Sequence, residues 1–249
     1  MSVNEKMTAI ADAIREKTGR TDALTLDGMA QSINEVHEAG KKAEYDSFWD
    51  GFQHNGTRTG YTYAFAGVGW RDSTFKPKFD ITPKDSAAGM FRATGLKNLK
   101  GCLEACGVSL DLSGVTNATA LFGYCSALNT LPKINLSSMT TSTYLFQDDK
   151  KLQTIEELKI SKTVAFVTSS FSGCTALTRL ILAGTLATNG LDLHWSTLLD
   201  RESLLSVLNV LQDKTSVGGT WTVTLGSENL AKLTNAEKAI ATQKGWTLV

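Results

Sequence analysis

Four cysteines, Cys102, Cys106, Cys125 and Cys174, and three histidines, His37, His54 and His194, are among the side chains here with the chemistry for metal ligation or nucleophilic attack. A zinc site needs four converging ligands, so its sequence pairs Cys-x2-4-Cys with a second such pair or with two spaced histidines. Cys102 and Cys106 can share one helix face, but no second ligand pair follows them. The histidines are scattered, and none has a partner at ligand spacing. Cys125 and Cys174 recur in similar surroundings, which fits small packing thiols better than reactive ones. Asp148-Asp149-Lys150-Lys151 and Glu156-Glu157 read as solvated loop charges. Glycan hydrolysis would need two carboxylates in one cleft, a juxtaposition that linear sequence does not specify. The glycine-rich stretch 60–69 lacks the dinucleotide and phosphate-loop fingerprints. No GxSxG or HExxH occurs. The residues therefore predict no catalytic centre, no metal and no cofactor.

The elements that carry these residues are set by a repeat. Phe91, Phe122, Phe146 and Phe171 lie 31, 24 and 25 residues apart. Phe122 is followed at offsets of six and nine by Leu128 and Leu131, Phe146 by Leu152 and Ile155, and Phe171 by Leu177 and Leu180. Phe91 has Leu96 and Leu99, one residue closer. Before each phenylalanine stands an apolar–polar–apolar triplet: Phe79-Asp80-Ile81, Leu110-Asp111-Leu112, Ile134-Asn135-Leu136 and Leu158-Lys159-Ile160. Val115, Met139 and Val164 follow the later triplets. Such triplets have the period of a strand, outer residues on one face. One short strand per 24 or so residues closes no core alone, so stacked copies should form a parallel strand ladder over continuous Phe and Leu rows. The middle residues Asp80, Asp111, Asn135 and Lys159 would then form an outward row, the candidate binding residues. The longer first interval fits an insertion around residues 101–109. Cys125 and Cys174 each sit three residues after a repeat phenylalanine, and Asp149 holds that place in the middle copy.

Hydrophobic residues at 42% and charged ones at 20% describe an ordinary globular chain. Lys plus Arg and Asp plus Glu are both 25, a balance that argues against nucleic acid as partner. No apolar run approaches the roughly 20 residues of a bilayer span, so no membrane insertion is expected. The first 19 residues carry charges throughout and lack the apolar stretch of a secretory signal, which predicts a chain made and kept in the cytoplasm or released by another route.

The flanks differ from the repeats. Ser2-Val3-Asn4-Glu5 is a capping-box pattern, and Met7, Ile10, Ala11 and Ile14 give residues 2–18 one apolar helical stripe, with Gly19 as its stop. A second helix is expected from Thr25 or Leu26, with Met29, Ile33 and Val36 as its stripe. Tyr45, Phe48, Trp49 and Phe52 then fall on the opposite face, suited to capping the open end of the stack. Residues 61–70, with Ala64-Phe65 and Gly67, read as a degenerate first copy. Leu191-Asp192-Leu193 reads as a last strand. Asp200 should cap a helix carrying Leu204, Leu205, Leu208 and Leu211, followed by a strand over 221–225, a helix over 234–244 ended by Gly245, and a strand over 246–249. The expected domains are 1–58 (helical, oligomerising and capping), 59–195 (repeats) and 196–249 (α/β cap). Tyr124, Tyr144 and Trp195 are expected in core or edge packing, with a contact surface as the alternative.

Ser170-Phe171-Ser172-Gly173-Cys174-Thr175-Ala176-Leu177-Thr178-Arg179-Leu180 resembles the BspA-type leucine-rich repeats of bacterial surface and phage-encoded proteins, whose units carry a similar Phe pair, then Gly-Cys-x-x-Leu, then a short strand. Leu121-Phe122-Gly123-Tyr124-Cys125-Ser126-Ala127-Leu128 is similar, whereas the Phe146 copy departs with Gln147-Asp148-Asp149. Met7–Arg15 with Leu26-Asp27-Gly28-Met29, and the end from Leu225-Gly226-Ser227 to Lys244-Gly245-Trp246-Thr247-Leu248, resemble minor tail or structural proteins of phages infecting Gram-positive gut bacteria. The resemblance implies an α/β chain built on a short leucine-rich-repeat-like solenoid, with an N-terminal helical segment and a C-terminal α/β cap. It implies a non-enzymatic virion component at a phage tail, assembled in the cytoplasm. Its partners would be other copies of itself (a homo-oligomer, a trimer being one candidate), other tail proteins, and a host-surface protein or glycan. The alternatives are a bacterial cell-surface adhesin and, further off, a glycan-acting enzyme.

Overall fold

The computed structural model describes residues 10, 12–17, 61–67 and 69–249. By internal contacts the chain falls into two units, Met1–Gln53 and His54–Val249. In the first, residues 12–17 are helical, Ile14 is buried, and Arg15 Nη1 donates to Asp12 Oδ1 at 2.7 Å across one helical turn. These residues agree with the helix expected over 2–18. The capping box at Ser2, the stop at Gly19, the second helix and the aromatic group Tyr45, Phe48, Trp49 and Phe52 lie outside the described residues.

In the second unit the repeat phenylalanines form a buried spine. Ring centroids are 5.5 Å apart for Phe65–Phe91 and for Phe91–Phe122, 5.7 Å for Phe122–Phe146 and 5.2 Å for Phe146–Phe171. The two central pairs are stacked nearly parallel, at 2° and 4°. The spacing is close to the separation of hydrogen-bonded neighbouring backbones, and the backbones are so bonded. Phe65 N donates to Met90 O, Phe91 N to Leu121 O, Phe122 N to Leu145 O and Phe146 N to Ser170 O, at 2.8–3.0 Å. Segment 61–67, the loose first copy, thus lies alongside its successor in the same way as the others.

These segments are not strands, because alternate N–H groups turn inward. Arg92 N donates to Gly89 O, Gly123 N to Ala120 O and Gln147 N to Tyr144 O, each three residues back. Alternation of this kind needs a left-handed residue two before and two after each phenylalanine. Tyr63 and Gly67 flank Phe65, Gly89 and Ala93 flank Phe91, Ala120 and Tyr124 flank Phe122, Tyr144 and Asp148 flank Phe146, and Gly173 follows Phe171. Every described non-glycine residue with positive φ occupies one of these places. A Cβ in this region costs about 1–2 kcal/mol, while glycine loses about 0.5–1 kcal/mol more backbone entropy on folding. Ala93→Gly, at φ 56°, is therefore expected to stabilise the unit by about 0.5 kcal/mol. A urea titration checks this, and a loss of stability would contradict it.

The same unit holds a parallel sheet of β1 (Thr130–Leu136), β2 (Thr154–Ile160) and β3 (Arg179–Gly184), in that order. Its register aligns Leu131 with Ile155 and Leu180, and Ile134 with Leu158 and Leu182, all buried. The offset-nine residues and the outer triplet residues of the sequence are thus the sheet's inner face. Pro132, which has no N–H to donate, sits on the edge strand, where that is tolerated. A register shift between Ile155 and Leu158 places an extra residue in β2. Glu156 and Glu157 are accordingly strand residues, half-buried, and not loop charges.

The first two triplets depart from expectation. They make one parallel bridge, Ile81 to Leu110, instead of paired strands, and it is two residues out of the expected alignment. Pro77 and Pro83 flank that bridge and remove backbone donors on both sides. Phe79 and Leu110 are only half-buried. The extra residues of the long interval form helix α1 (Leu99–Cys106), which starts two residues before the expected insertion because Asn98 caps it, accepting from Gly101 N at 2.9 Å. Gly107, at φ 63°, ends it. Lys100 Nζ on α1 reaches Glu156 Oε1 on β2 at 2.9 Å.

Beyond β3, Leu191-Asp192-Leu193 makes one parallel bridge, Asp192 to Thr224, where a strand was expected. Asp200 caps α2 (Arg201–Val210), accepting from Ser203 N at 2.7 Å. Then come β4 (Trp221–Val223), α3 (Ser227–Ala231), α4 (Asn235–Gln243) with a Thr234–Glu237 capping box, and β5 (Trp246–Leu248), which pairs parallel with β4. The described residues thus form a mixed α/β fold with a parallel three-stranded sheet and no closed barrel. Among them no helix is long and apolar enough to cross a membrane.

Candidate functional site

The expected outward row is only partly a row. Asn135 and Lys159 are neighbours in register, with Ala183 next on β3. Asp80 instead faces Ser109: its Oδ1 accepts from Ser109 N at 2.6 Å and Ser109 Oγ at 2.8 Å. Asp111 Oδ1 accepts from Ser113 N at 2.9 Å and Asn135 Oδ1 from Ser137 N at 3.2 Å. Asp111 and Asn135 thus each spend an acceptor on the backbone two residues on, fixing the turns that leave their triplets, while Asp80 ties its triplet to Ser109 of the next copy. Lys159 is exposed.

A second row is buried. Three residues after each repeat phenylalanine stand Thr94, Cys125, Asp149 and Cys174, and Ser196 holds the matching place after Leu193. Cys125 Sγ donates to Phe91 O and Cys174 Sγ to Phe146 O, both at 3.0 Å. Ser196 Oγ donates to Cys174 O at 3.2 Å. Burial pushes the Cys125 thiol up to about 12, with the Asp149 charge adding to it, and raises Cys174 in the same way. Burial also pushes Cys102 up to about 11. These thiols are far from the thiolate form that attacks or ligates, as expected of packing residues. Asp149 corrects the sequence reading: it is not a solvated loop charge but fully buried. Its Oδ1 accepts from Cys125 N at 2.7 Å and its Oδ2 has no hydrogen-bond partner. The signal was its place in the repeat; the charged neighbours Asp148, Lys150 and Lys151 masked it.

The third set is exposed and aromatic. Tyr124, Tyr144 and Trp195 are 38%, 43% and 46% exposed, and Tyr63 is 56% exposed, which places all four at the surface and not in edge packing. Tyr124 and Tyr144 stand at left-handed positions around the spine, so the backbone turn itself aims them outward. The Arg92 guanidinium lies 4.9 Å from the Tyr124 ring centroid. The Tyr124 hydroxyl donates to Gln147 Oε1 at 2.6 Å. Arg92, Tyr124 and Gln147 come from three successive copies and form one connected strip. Farther along the chain the His194 ring meets Trp195 at 4.8 Å, and His194 Nδ1 lies 2.6 Å from buried Asp192 Oδ1. Sequence reasoning named Tyr124, Tyr144, Trp195 and, as a scattered histidine, His194, but missed Arg92 and Gln147, whose side chains find the Tyr124 ring only once the copies are stacked. Flat aromatic faces beside planar polar groups are suited to holding another molecular surface.

Among the described residues no group of three or more His, Cys, Asp or Glu side chains could hold a metal ion, and all four cysteines are free. No protein-family model, no curated protein and no solved structure matches the chain.

Proposed function

We propose that this chain is a non-enzymatic recognition protein, a phage tail or virion component whose residues 59–195 form a short leucine-rich-repeat-like solenoid. The solenoid presents a contact surface to a host-surface glycan or protein. The observation that carries this reading is the connected strip Arg92–Tyr124–Gln147, drawn from three consecutive copies and held on a buried phenylalanine spine. Rigid presentation of aromatic and guanidinium groups lowers the ordering cost of binding, and Tyr, Trp and Arg are the residues that dominate contact energies. The row Asp80, Asp111, Asn135 and Lys159 is the secondary candidate, since Asp111 and Asn135 are already committed to local turns and Asp80 to Ser109. Self-association through residues 1–58 and docking to other tail proteins belong to the same proposal.

The test is binding of the full chain to intact host cells and to an array of host-surface glycans. Wild-type protein should bind at least one. Tyr124→Ala and Trp195→Ala should each weaken that binding about tenfold or more while leaving the unfolding midpoint unchanged, because both side chains are exposed. Absence of binding to cells and array alike would sink the proposal. Binding that both variants retain in full would move the surface elsewhere.

A further inference from the structure

In the buried row beside the spine the two cysteines share one hydrogen-bond pattern, and Asp149 between them cannot share it as a carboxylate. Each cysteine donates to the carbonyl of the phenylalanine one copy earlier: Cys125 to Phe91, Cys174 to Phe146. Asp149 occupies the same place in the copy between them, so the carbonyl at its disposal is that of Phe122. That carbonyl already accepts from Cys125 N at 3.3 Å, as Phe91 O accepts from Thr94 N and Phe146 O from Asp149 N. An ionised carboxylate has nothing to donate. Its second oxygen, Oδ2, is buried and has no partner, a costly arrangement for a charge and an ordinary one for an acid proton.

We propose that Asp149 is a proton-binding site built into the phenylalanine stack: its carboxyl is held as the neutral acid, Oδ2–H donating to the carbonyl of Phe122, and its ionisation loosens the stack. The groups around it favour the same state. From the preceding copy it meets Cys125 and from the following one Cys174, both thiols held protonated by burial. From its own segment the acting charge is Asp148, another acid, which lies 3.6 Å from Lys150 Nζ at the surface. Thr94 and Ser196, farther along the row, are neutral. None of the charges acting on Asp149 is a cation, while burial pushes its carboxyl well above the ordinary range and one backbone N–H opposes this. The folded chain therefore holds this proton more tightly than the unfolded chain does. Stability from the site is complete at pH values below the ordinary aspartate range and is lost as pH rises through the raised folded value.

The experiment is thermal unfolding of wild type and Asp149→Asn between about pH 4 and about pH 8, limits that bracket ordinary carboxylate titration. The asparagine amide can donate to Phe122 O and still accept from Cys125 N, without a proton to lose. Its midpoint should exceed that of wild type by about 3 °C or more at the upper pH, and the gap should close towards the lower. A gap independent of pH, or one in which wild type gains on the variant as pH rises, would overturn the proposal. Carboxyl-carbon NMR of wild type decides the matter even if the variant fails to fold: Asp149 should read as neutral acid at neutral pH, and a carboxylate there refutes the idea.

Discussion

Phe146→Ala is expected to destabilise the His54–Val249 unit by about 3–5 kcal/mol. The ring is fully buried and lies between Phe122 at 5.7 Å and Phe171 at 5.2 Å. Truncation removes two aromatic contacts, each worth about 0.5–1.5 kcal/mol beyond buried area, and opens a cavity that the stack closes poorly. The neighbouring rings cannot move together to fill it, because the backbone bonds Phe122 N to Leu145 O and Phe146 N to Ser170 O fix their spacing. Urea denaturation followed by tryptophan fluorescence reports the loss, since Trp246 is buried in the C-terminal part of the same unit. A drop in midpoint with an unchanged slope means that the unit unfolds as one. A fall in the slope means that the stack has separated into halves, as linear arrays with nearest-neighbour coupling do. A loss below about 1 kcal/mol would show that the spine is not the core, because full burial of a large aromatic contributes far more than that.

Much of this was legible in advance. The phenylalanine period and the offset leucines are apolar, evenly spaced and chemically uniform, so they announce a common buried face, and all of them are buried. The left-handed positions were hidden. Glycine marks such places at Gly67, Gly89 and Gly173, but Tyr63, Ala93, Ala120, Tyr124, Tyr144 and Asp148 occupy the equivalent ones, and of these residue types only Asp carries a turn signal. The first two triplets look like strands by alternation alone. What prevents their pairing is the loss of donors at Pro77 and Pro83, an effect of neighbours and not of the triplets. Asp149 was misread for a similar reason. A charge run is normally a solvated face, and only the offset of three from Phe146 distinguishes the one acid that points inward. The surface strip was half legible: aromatic residue types could be listed, but the meeting of Arg92, Tyr124 and Gln147 depends on stacking three copies whose separations along the chain differ.

Gly190→Ala should be the most damaging single-methyl addition among the described glycines, at about 3 kcal/mol or more. Two penalties combine there. The residue has φ +100°, a conformation side chains rarely adopt, and an added Cβ would lie 2.0 Å from Phe166 O and 2.8 Å from its carbonyl carbon. The obstacle is backbone, which cannot rotate away as a side-chain tip does. Relief requires moving the chain around Gly190, and that chain holds the C-terminal strands. Asn189 donates through Nδ2 to Thr220 O at 2.9 Å and accepts through Oδ1 from Thr222 N at 2.8 Å. Thr224 N donates to Leu191 O at 3.1 Å. The damage should therefore appear first in β4, as faster amide exchange at Thr222 and Thr224, while the amides of Phe91 and Phe122 keep their protection. Gly67→Ala supplies the control. Its φ is also left-handed, at +115°, but among the described residues nothing lies within 4 Å of the added carbon, so only the conformational penalty of about 1–2 kcal/mol applies. Equal losses for the two substitutions would show that backbone conformation alone governs both sites. The larger loss expected at Gly190 would show that the close approach to Phe166 is what seats β4 against the preceding copy.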